Sequence, residues 1–155
     1  MAVIKKRYKD INDVLRHIRL QVNEGVPYAY NNIPTFKNPT ALFFWLKPRL
    51  TYKLDPKDTE LLQSLPTLME NNFYGKPGTG DCDCFSIAVL SICCAQNWKG
   101  AKIWVKLAGR KKNAPPVHIW TGVTINGIEY PLDMTNRIPH KERFYPYVQK
   151  LNFKK

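Results

Sequence analysis

The chain has 155 residues, and 24 Lys and Arg against 12 Asp and Glu give it a formal net charge of +12. This length predicts a single domain over residues 1–155, and a hydrophobic content of 44% excludes a disordered or fibrous chain. No apolar run approaches the roughly 18 residues that a transmembrane helix needs, so we expect no transmembrane segment.

The N-terminal part of the chain is predicted to be helical and irregular. Apolar residues recur at helical spacing over residues 10–23, and Gly25 is expected to end that helix. Several prolines predict irregular structure over residues 26–56. A short helix is predicted from Pro56 to about Leu65, followed by a glycine-rich loop that ends at Gly80.

The second half predicts a buried helix followed by an antiparallel sheet. Residues 82–96 are apolar or small at almost every position, which indicates a helix buried on most sides. Strands are predicted over residues 102–107, 117–125 and 128–132, with a basic loop over residues 109–116 and no clear element beyond Asp133. This order of elements predicts the α+β class.

The turn between the last two strands predicts which side chains share a face. Asn-Gly at residues 126–127 is a strong signal for a two-residue hairpin, which pairs Ile125 with Ile128. Counting outward, His118 and Asp133 lie on one face as diagonal neighbours, roughly 7–8 Å apart. A slip of one residue would place them on opposite faces. The spacing therefore predicts a hydrogen bond between imidazole and carboxylate.

A thiol at the start of the buried helix completes a candidate nucleophilic site. Cys82 follows the glycine-rich loop, and the helix macrodipole at that position stabilises a thiolate. Cys84 is a rival nucleophile, although half a helical turn separates it from Cys82. Cys93 and Cys94 fit the core. The spacing of the four cysteines is not that of a zinc knuckle, so no metal or other cofactor is expected.

These segments resemble the transglutaminase-like superfamily of papain-related cysteine enzymes. The similarity covers residues 75–136 and rests on Gly80-x-Cys82-x-Cys84-Phe85-Ser86, on His118-Ile119-Trp120 and on Asp133-x-Thr135. It implies a papain-like core with Cys82 as nucleophile, His118 as base and Asp133 as the group that orients the imidazole. The chain departs from the family pattern at two positions: Cys84 stands where the family often has Asp, and Ser86 where it usually has Ala. Residues 1–70 match no family.

The resemblance implies acyl transfer to an amine or to water on a peptide or carboxamide substrate, as in a transglutaminase, a peptidase or a deamidase. The backbone N–H of Cys82 would donate to the oxyanion, with Asn72 or Tyr74 as candidates for a second donor. Asp81 and Asp83 flank the thiol and raise its pKa, and we expect pairing with His118 to outweigh them. The alternative is a binding or structural module that keeps the fold without turnover.

Charge and cysteine content predict the partners and the compartment. Residues 1–53 and 101–155 hold all the positive excess, with 10 Lys and Arg against 3 acids and 11 against 3. This pattern is typical either of a solvated surface or of one that binds an anionic partner. No nucleic-acid fold signature is present, so a specific nucleic-acid ligand is not expected.

Unpaired cysteines and the lack of a signal peptide predict a reducing cytoplasm, and similarity to short phage proteins adds a virus particle as an alternative. The oligomeric state is not predicted.

Overall fold

The computed structural model describes residues 3–6, 11–54, 60–112 and 116–153. The helices in these ranges are α1 (Ile11–Asn32), α2 (Pro39–Leu46), α3 (Leu65–Met69) and α4 (Cys82–Ala95). The strands are β1 (Val3–Lys6), β2 (Leu50–Tyr52), β3 (Glu60–Gln63), β4 (Gly78–Gly80), β5 (Lys102–Gly109), β6 (His118–Ile125), β7 (Ile128–Pro131) and β8 (Tyr147–Asn152). Two 3-10 turns cover Lys47–Arg49 and Glu70–Tyr74.

A four-stranded antiparallel sheet and the helix α4 form the centre of the fold. The strand order is β7-β6-β5-β8. Alternate residues of β5 and β6, such as Val105, Leu107 and Ile119, are buried in the same apolar core as the side chains of α4. Two small pairs complete the strands: β1 with β3, antiparallel, and β2 with β4, parallel. The chain is α+β, with helices packed on an antiparallel sheet.

The hairpin register predicted from Asn126 and Gly127 is confirmed. Both residues have positive φ, 53° and 78°, as a two-residue turn of this type requires. Ile125 pairs with Ile128, and the ladder continues to the pair of Gly122 and Pro131. The strand β7 ends there, one residue earlier than predicted.

Helix α1 runs past Gly25, so the predicted end of the helix at that residue is wrong. It also contains Pro27 and ends only at Asn32. Gly25 lies where α1 packs on α4: a Cβ built on it would lie 2.9 Å from Ser91 Cβ and would overlap the Ser91 hydroxyl. The glycine therefore permits close helix packing instead of breaking the helix.

Two further sequence predictions are wrong: irregular structure over residues 26–56, and a helix from Pro56 to about Leu65. The segment over residues 26–56 contains the end of α1, all of α2 and β2. Asn38 caps α2 by accepting from the N–H of Ala41, and Pro39 occupies the first turn, so this proline begins a helix. Within the helix predicted from Pro56 to Leu65, residues 60–63 form a strand, while residues 55–59 lie outside the described residues.

The region beyond Asp133 contains the strand β8, which the sequence prediction missed. It pairs with the free side of β5 and alternates half-buried and exposed residues. Its exposed positions hold Val148 and Lys150 rather than a regular set of polar residues, so the period-2 pattern is weak in sequence.

Substituting Gly25 by Ala tests the contact between α1 and α4. Alanine is favoured over glycine inside a helix by about 1 kcal/mol, but overpacking a core costs about 1–3 kcal/mol. We expect a net loss of about 1 kcal/mol in the free energy of unfolding, measured with urea. The loss should shrink in a Ser91→Ala background, because the overlapping hydroxyl is gone. A Gly25→Ala protein more stable than the wild type would show that the helices do not approach so closely.

Candidate functional site

His118 and Asp133 form a buried hydrogen-bonded pair at the edge of the main sheet. His118 Nε2 lies 2.7 Å from Asp133 Oδ2, and the two residues are 8% and 4% exposed. The other carboxylate oxygen, Oδ1, accepts from the N–H of Thr135 at 3.1 Å and from its hydroxyl at 2.6 Å. The structure thus brings together the two side chains that the hairpin register predicted to be neighbours.

The hydrogen bonds of Asp133 fix the tautomer of His118. Burial acts to raise the pKa of Asp133, but hydrogen bonds from His118 and Thr135 and the charge of His118 hold it below its ordinary value. An ionised carboxylate only accepts hydrogen bonds, so His118 Nε2 must carry the proton. Nδ1 is then the ring nitrogen with a free lone pair in the neutral imidazole.

Cys82 is the first residue of α4, as predicted. Asp81 is the N-cap, and its side chain accepts from the N–H of Asp83 at 3.1 Å. This Asx cap ends the extended segment that leads out of β4 and starts the helix. The Cys82 side chain therefore lies at the positive end of the macrodipole of α4.

Where β7 ends, the first turn of α4 provides the hydrogen-bond partners for the backbone of β6. Thr121 O accepts from the N–H of Leu132, and backbone groups two residues apart along a strand point to the same side. The backbone groups of Ile119 therefore face this edge too. Ile119 O accepts from Ser86 Oγ at 3.1 Å, and Ile119 N–H donates to the Cys82 sulfur. The sulfur thus lies beside the peptide bond that follows His118.

The surroundings of the Cys82 thiol favour its protonated form. Burial raises its pKa well above the ordinary value, and the carboxylates of Asp83 and Asp81 raise it further; the N–H of Ile119 acts in the opposite direction but is outweighed. The thiol donates to Asp83 Oδ1 at 3.6 Å. The expected pairing of Cys82 with His118 stays a prediction, and burial is the largest influence on the thiol pKa.

Cys84 supports the start of the helix. Its buried sulfur accepts from the N–H groups of Gln63 and Asp81, and burial raises its pKa to about 12. At the third helical position it bonds back to the N-cap residue, as the acidic side chain of a capping box does.

Two aromatic rings enclose the imidazole on the outer face of the sheet. The ring of His118 stacks on Trp120 and Tyr145, with centroids 5.3 and 5.6 Å apart and interplanar angles of 22° and 26°. Trp120 Nε1 donates to Glu142 Oε2 at 2.8 Å, and the same oxygen accepts from Lys106 Nζ at 2.7 Å. These contacts hold the imidazole in one orientation.

Tyr145, Glu142 and Lys106 belong to the site surroundings but were missed by the sequence analysis. Tyr145 lies in the irregular segment before β8, and burial raises its pKa, with the charges of Asp133 and Cys82 acting in the same direction. Helical and strand periodicities do not predict where a side chain of an irregular segment lies. The alternation of Lys106 with apolar residues in β5 was the available signal for a polar outer face.

The two side chains proposed as second oxyanion donors lie in the 3-10 turn Glu70–Tyr74. Asn72 Nδ2 donates to Arg49 O at 3.3 Å. Tyr74 is 72% exposed, with its ring against Phe73. Their role, like that of the backbone N–H of Cys82, stays a prediction.

All four cysteines are free thiols, with Cys82 half-buried and the others buried. Among the described residues, no group of three or more His, Cys, Asp or Glu side chains is arranged to hold a metal ion. Within the same part of the chain, no helix combines the length and the apolar character required to cross a bilayer.

Comparisons with known proteins assign the chain to no family. No protein-family model matches it, and neither the curated proteins nor the solved structures give a match. The resemblance to the transglutaminase-like superfamily therefore stays a prediction that rests on the residues quoted above.

Acid unfolding tests the pair of Asp133 and His118. The pKa of Asp133 is lower in the folded protein than its ordinary value of 3.8, so its ionised form stabilises the fold above that pH. This stabilisation should be lost as the pH falls through the folded pKa. Asp133→Asn should lower the free energy of unfolding at pH 7, and its difference from the wild type should shrink below about pH 4.

Thr135→Val provides the graded comparison, because it keeps the carboxylate and deletes one hydroxyl donor. Its free energy of unfolding at pH 7 should lie between those of the wild type and Asp133→Asn. A difference between wild type and Asp133→Asn that stays constant from pH 7 to pH 3, measured by urea unfolding, would contradict the lowered pKa.

Proposed function

We propose that this protein is a cysteine-nucleophile enzyme that transfers or hydrolyses the acyl group of a peptide or carboxamide. The observation that carries the proposal is the buried hydrogen bond of 2.7 Å between His118 Nε2 and Asp133 Oδ2, on a strand whose next residue, Ile119, donates its backbone N–H to the sulfur of Cys82. A thiol, an imidazole with one bare nitrogen and an orienting carboxylate are the three groups that this chemistry requires. A papain-like core is part of the same proposal.

In the proposed acylation step the thiol loses its proton as it attacks. His118 Nδ1 takes the proton from Cys82, the sulfur bonds to the substrate carbonyl carbon, and the carbonyl oxygen becomes an oxyanion. The N–H groups and macrodipole at the start of α4 stabilise that negative charge. The imidazolium then protonates the leaving amine or ammonia as the C–N bond breaks, which leaves a thioester on Cys82.

The second half of the cycle removes the acyl group. Water or an amine gives a proton to His118 Nδ1 and attacks the thioester carbon, and the imidazolium returns the proton to the Cys82 sulfur as the C–S bond breaks. Asp133 stays ionised throughout, because it accepts from His118 and twice from Thr135. Its role is to stabilise the imidazolium and hold its orientation.

General-base activation fits this site better than a preformed thiolate and imidazolium. Burial and the carboxylates of Asp83 and Asp81 keep the thiol protonated at rest. Asp83 Oδ1 accepts from the thiol at 3.6 Å, so the proton must transfer to His118 when substrate binds. Such a resting state is less prone to oxidation than an exposed thiolate.

An activated ester tests the proposed function without knowledge of the substrate. With p-nitrophenyl acetate we expect a burst of one equivalent of nitrophenol and an acetyl group on Cys82, identified by mass spectrometry. Cys82→Ser should abolish the burst. His118→Ala should slow acylation by about 10²-fold or more, because general-base catalysis contributes 10²–10⁴-fold.

A matched histidine variant controls for changes in folding. His140 bonds to Thr40 and to Pro131 O, away from the His118–Asp133 pair, so His140→Ala should keep the burst. Equal, slow acetylation of several lysines and cysteines in both the wild type and His118→Ala would contradict the enzyme and favour the non-catalytic binding module.

Asp83→Asn tests the source of the raised thiol pKa. The substitution removes a carboxylate that raises the pKa of Cys82 and accepts its proton. The pKa should fall, and alkylation of Cys82 by iodoacetamide at pH 7 should accelerate about three- to tenfold, since one pKa unit is a tenfold change in thiolate. Glu70→Gln, at an exposed position, should leave the rate unchanged. An Asp83→Asn rate at or below that of the wild type would refute this assignment.

A further inference from the structure

A cationic pocket lies next to the proposed catalytic site. It has a volume of about 390 Å³ and is formed by the segment that follows Asp133. Its lining residues are Thr135, Asn136, Arg137, Ile138, Lys141 and Arg143. Every charged side chain in that lining is a cation, and Ile138 supplies one apolar wall.

Two contacts connect this pocket to the His118–Asp133 pair. Thr135 lines the pocket and donates twice to Asp133 Oδ1. Arg143 lines it as well and hydrogen-bonds to Tyr145, whose ring stacks on His118. The pocket therefore lies one residue contact from Asp133, through Thr135, and two from the imidazole, through Arg143 and Tyr145.

The positive charge of the pocket is not neutralised by the acid within the same segment. Glu142 lies between Lys141 and Arg143 in sequence, but its side chain turns to the sheet, where Oε2 accepts from Lys106 and Trp120. Lys47 lies near the same segment: it donates to Met134 O at 2.6 Å, and its pKa is lowered by burial and by repulsion from Arg137, while Asp133 acts in the opposite direction.

We propose that the pocket binds a carboxylate of a peptide substrate, an acidic side chain or the chain-terminal carboxylate, a few residues from the acyl group attacked by Cys82. This assignment rests on the proposed function. Arginine side chains bind carboxylates in bidentate geometry, and Ile138 can pack on the methylene groups of a glutamate. The volume suits one side chain rather than a nucleic-acid backbone.

Equilibrium binding to the Cys82→Ser protein tests the pocket independently of catalysis. The probes are fluorescein-labelled pentapeptide amides with one Glu at each position in turn, each with a matched Gln peptide. A Gln peptide with a free C-terminal carboxylate distinguishes the two sources of the charge. We expect the best carboxylate probe to bind about five- to tenfold more tightly than its neutral match in fluorescence anisotropy.

Charge variants assign that preference to the pocket. Arg137→Gln and Lys141→Gln should each remove most of the preference. Lys102→Gln, at an exposed position at the start of β5, should retain it. No preference for a carboxylate, or equal loss in the Lys102→Gln control, overturns the proposal. An oligonucleotide that binds through Arg137 and Lys141 more tightly than any acidic peptide also overturns it.

Labelling of the wild-type protein separates failure of the pocket from failure of the enzyme. N-chloroacetyl versions of the same peptides should alkylate Cys82 fastest when the carboxylate is at one particular spacing, and Arg137→Gln should slow only that probe. If Glu and Gln probes alkylate Cys82 at equal rates while the nitrophenyl acetate burst is intact, the pocket assignment alone is overturned. If the protein binds carboxylate probes but shows neither a burst nor alkylation of Cys82, the assignment of the pocket to a substrate is overturned together with the proposal that the protein is an enzyme.

Discussion

The hydrogen bond between His118 and Asp133 is the interaction on which the proposed site depends. It joins the first residue of β6 to the segment just beyond β7. Burial acts to raise the pKa of Asp133, but hydrogen bonds from His118 and Thr135 and the charge of His118 hold it below its ordinary value. An ionised, buried acceptor fixes which imidazole nitrogen carries the proton. The chemistry proposed for Cys82 needs the other nitrogen to be bare.

The short length of β7 makes room for the nucleophile. The ladder between β6 and β7 ends at Pro131, and its last hydrogen bond runs from the N–H of Leu132 to Thr121 O. Beyond that point the first turn of α4 provides the partners of the Ile119 backbone: Ser86 donates to the carbonyl of Ile119, and the sulfur of Cys82 accepts from its N–H. Residues four apart lie on one face of a helix, so Ile119 holds both Cys82 and Ser86 of that turn beside the strand that carries His118. Ser86 thus has a structural role at this edge.

The part of the site that sequence spacing could predict is the part set by regular geometry. The Asn126-Gly127 turn fixes the hairpin register and hence places His118 near Asp133, and the apolar run after Cys82 predicts α4. The effect of burial on the thiol pKa, which is the largest contribution, could not be predicted from sequence because burial depends on tertiary packing. Gly25 was assigned as a helix end because its contact with Ser91 lies in another helix. Tyr145 and the cationic pocket come from irregular chain beyond Asp133, where no periodicity exists to read.

The tautomer of His118 tests the central claim most directly. Long-range ¹H–¹⁵N correlation spectra of the histidine side chains distinguish protonated from bare ring nitrogens. The neutral imidazole of His118 should carry its proton on Nε2, and Asp133→Asn should mix the two tautomers. The Nδ1 resonance should also shift in Cys82→Ser, because the proposed mechanism places the thiol beside that nitrogen. A His118 signal with the proton on Nδ1 in the wild-type protein, unaffected by either substitution, would contradict the account.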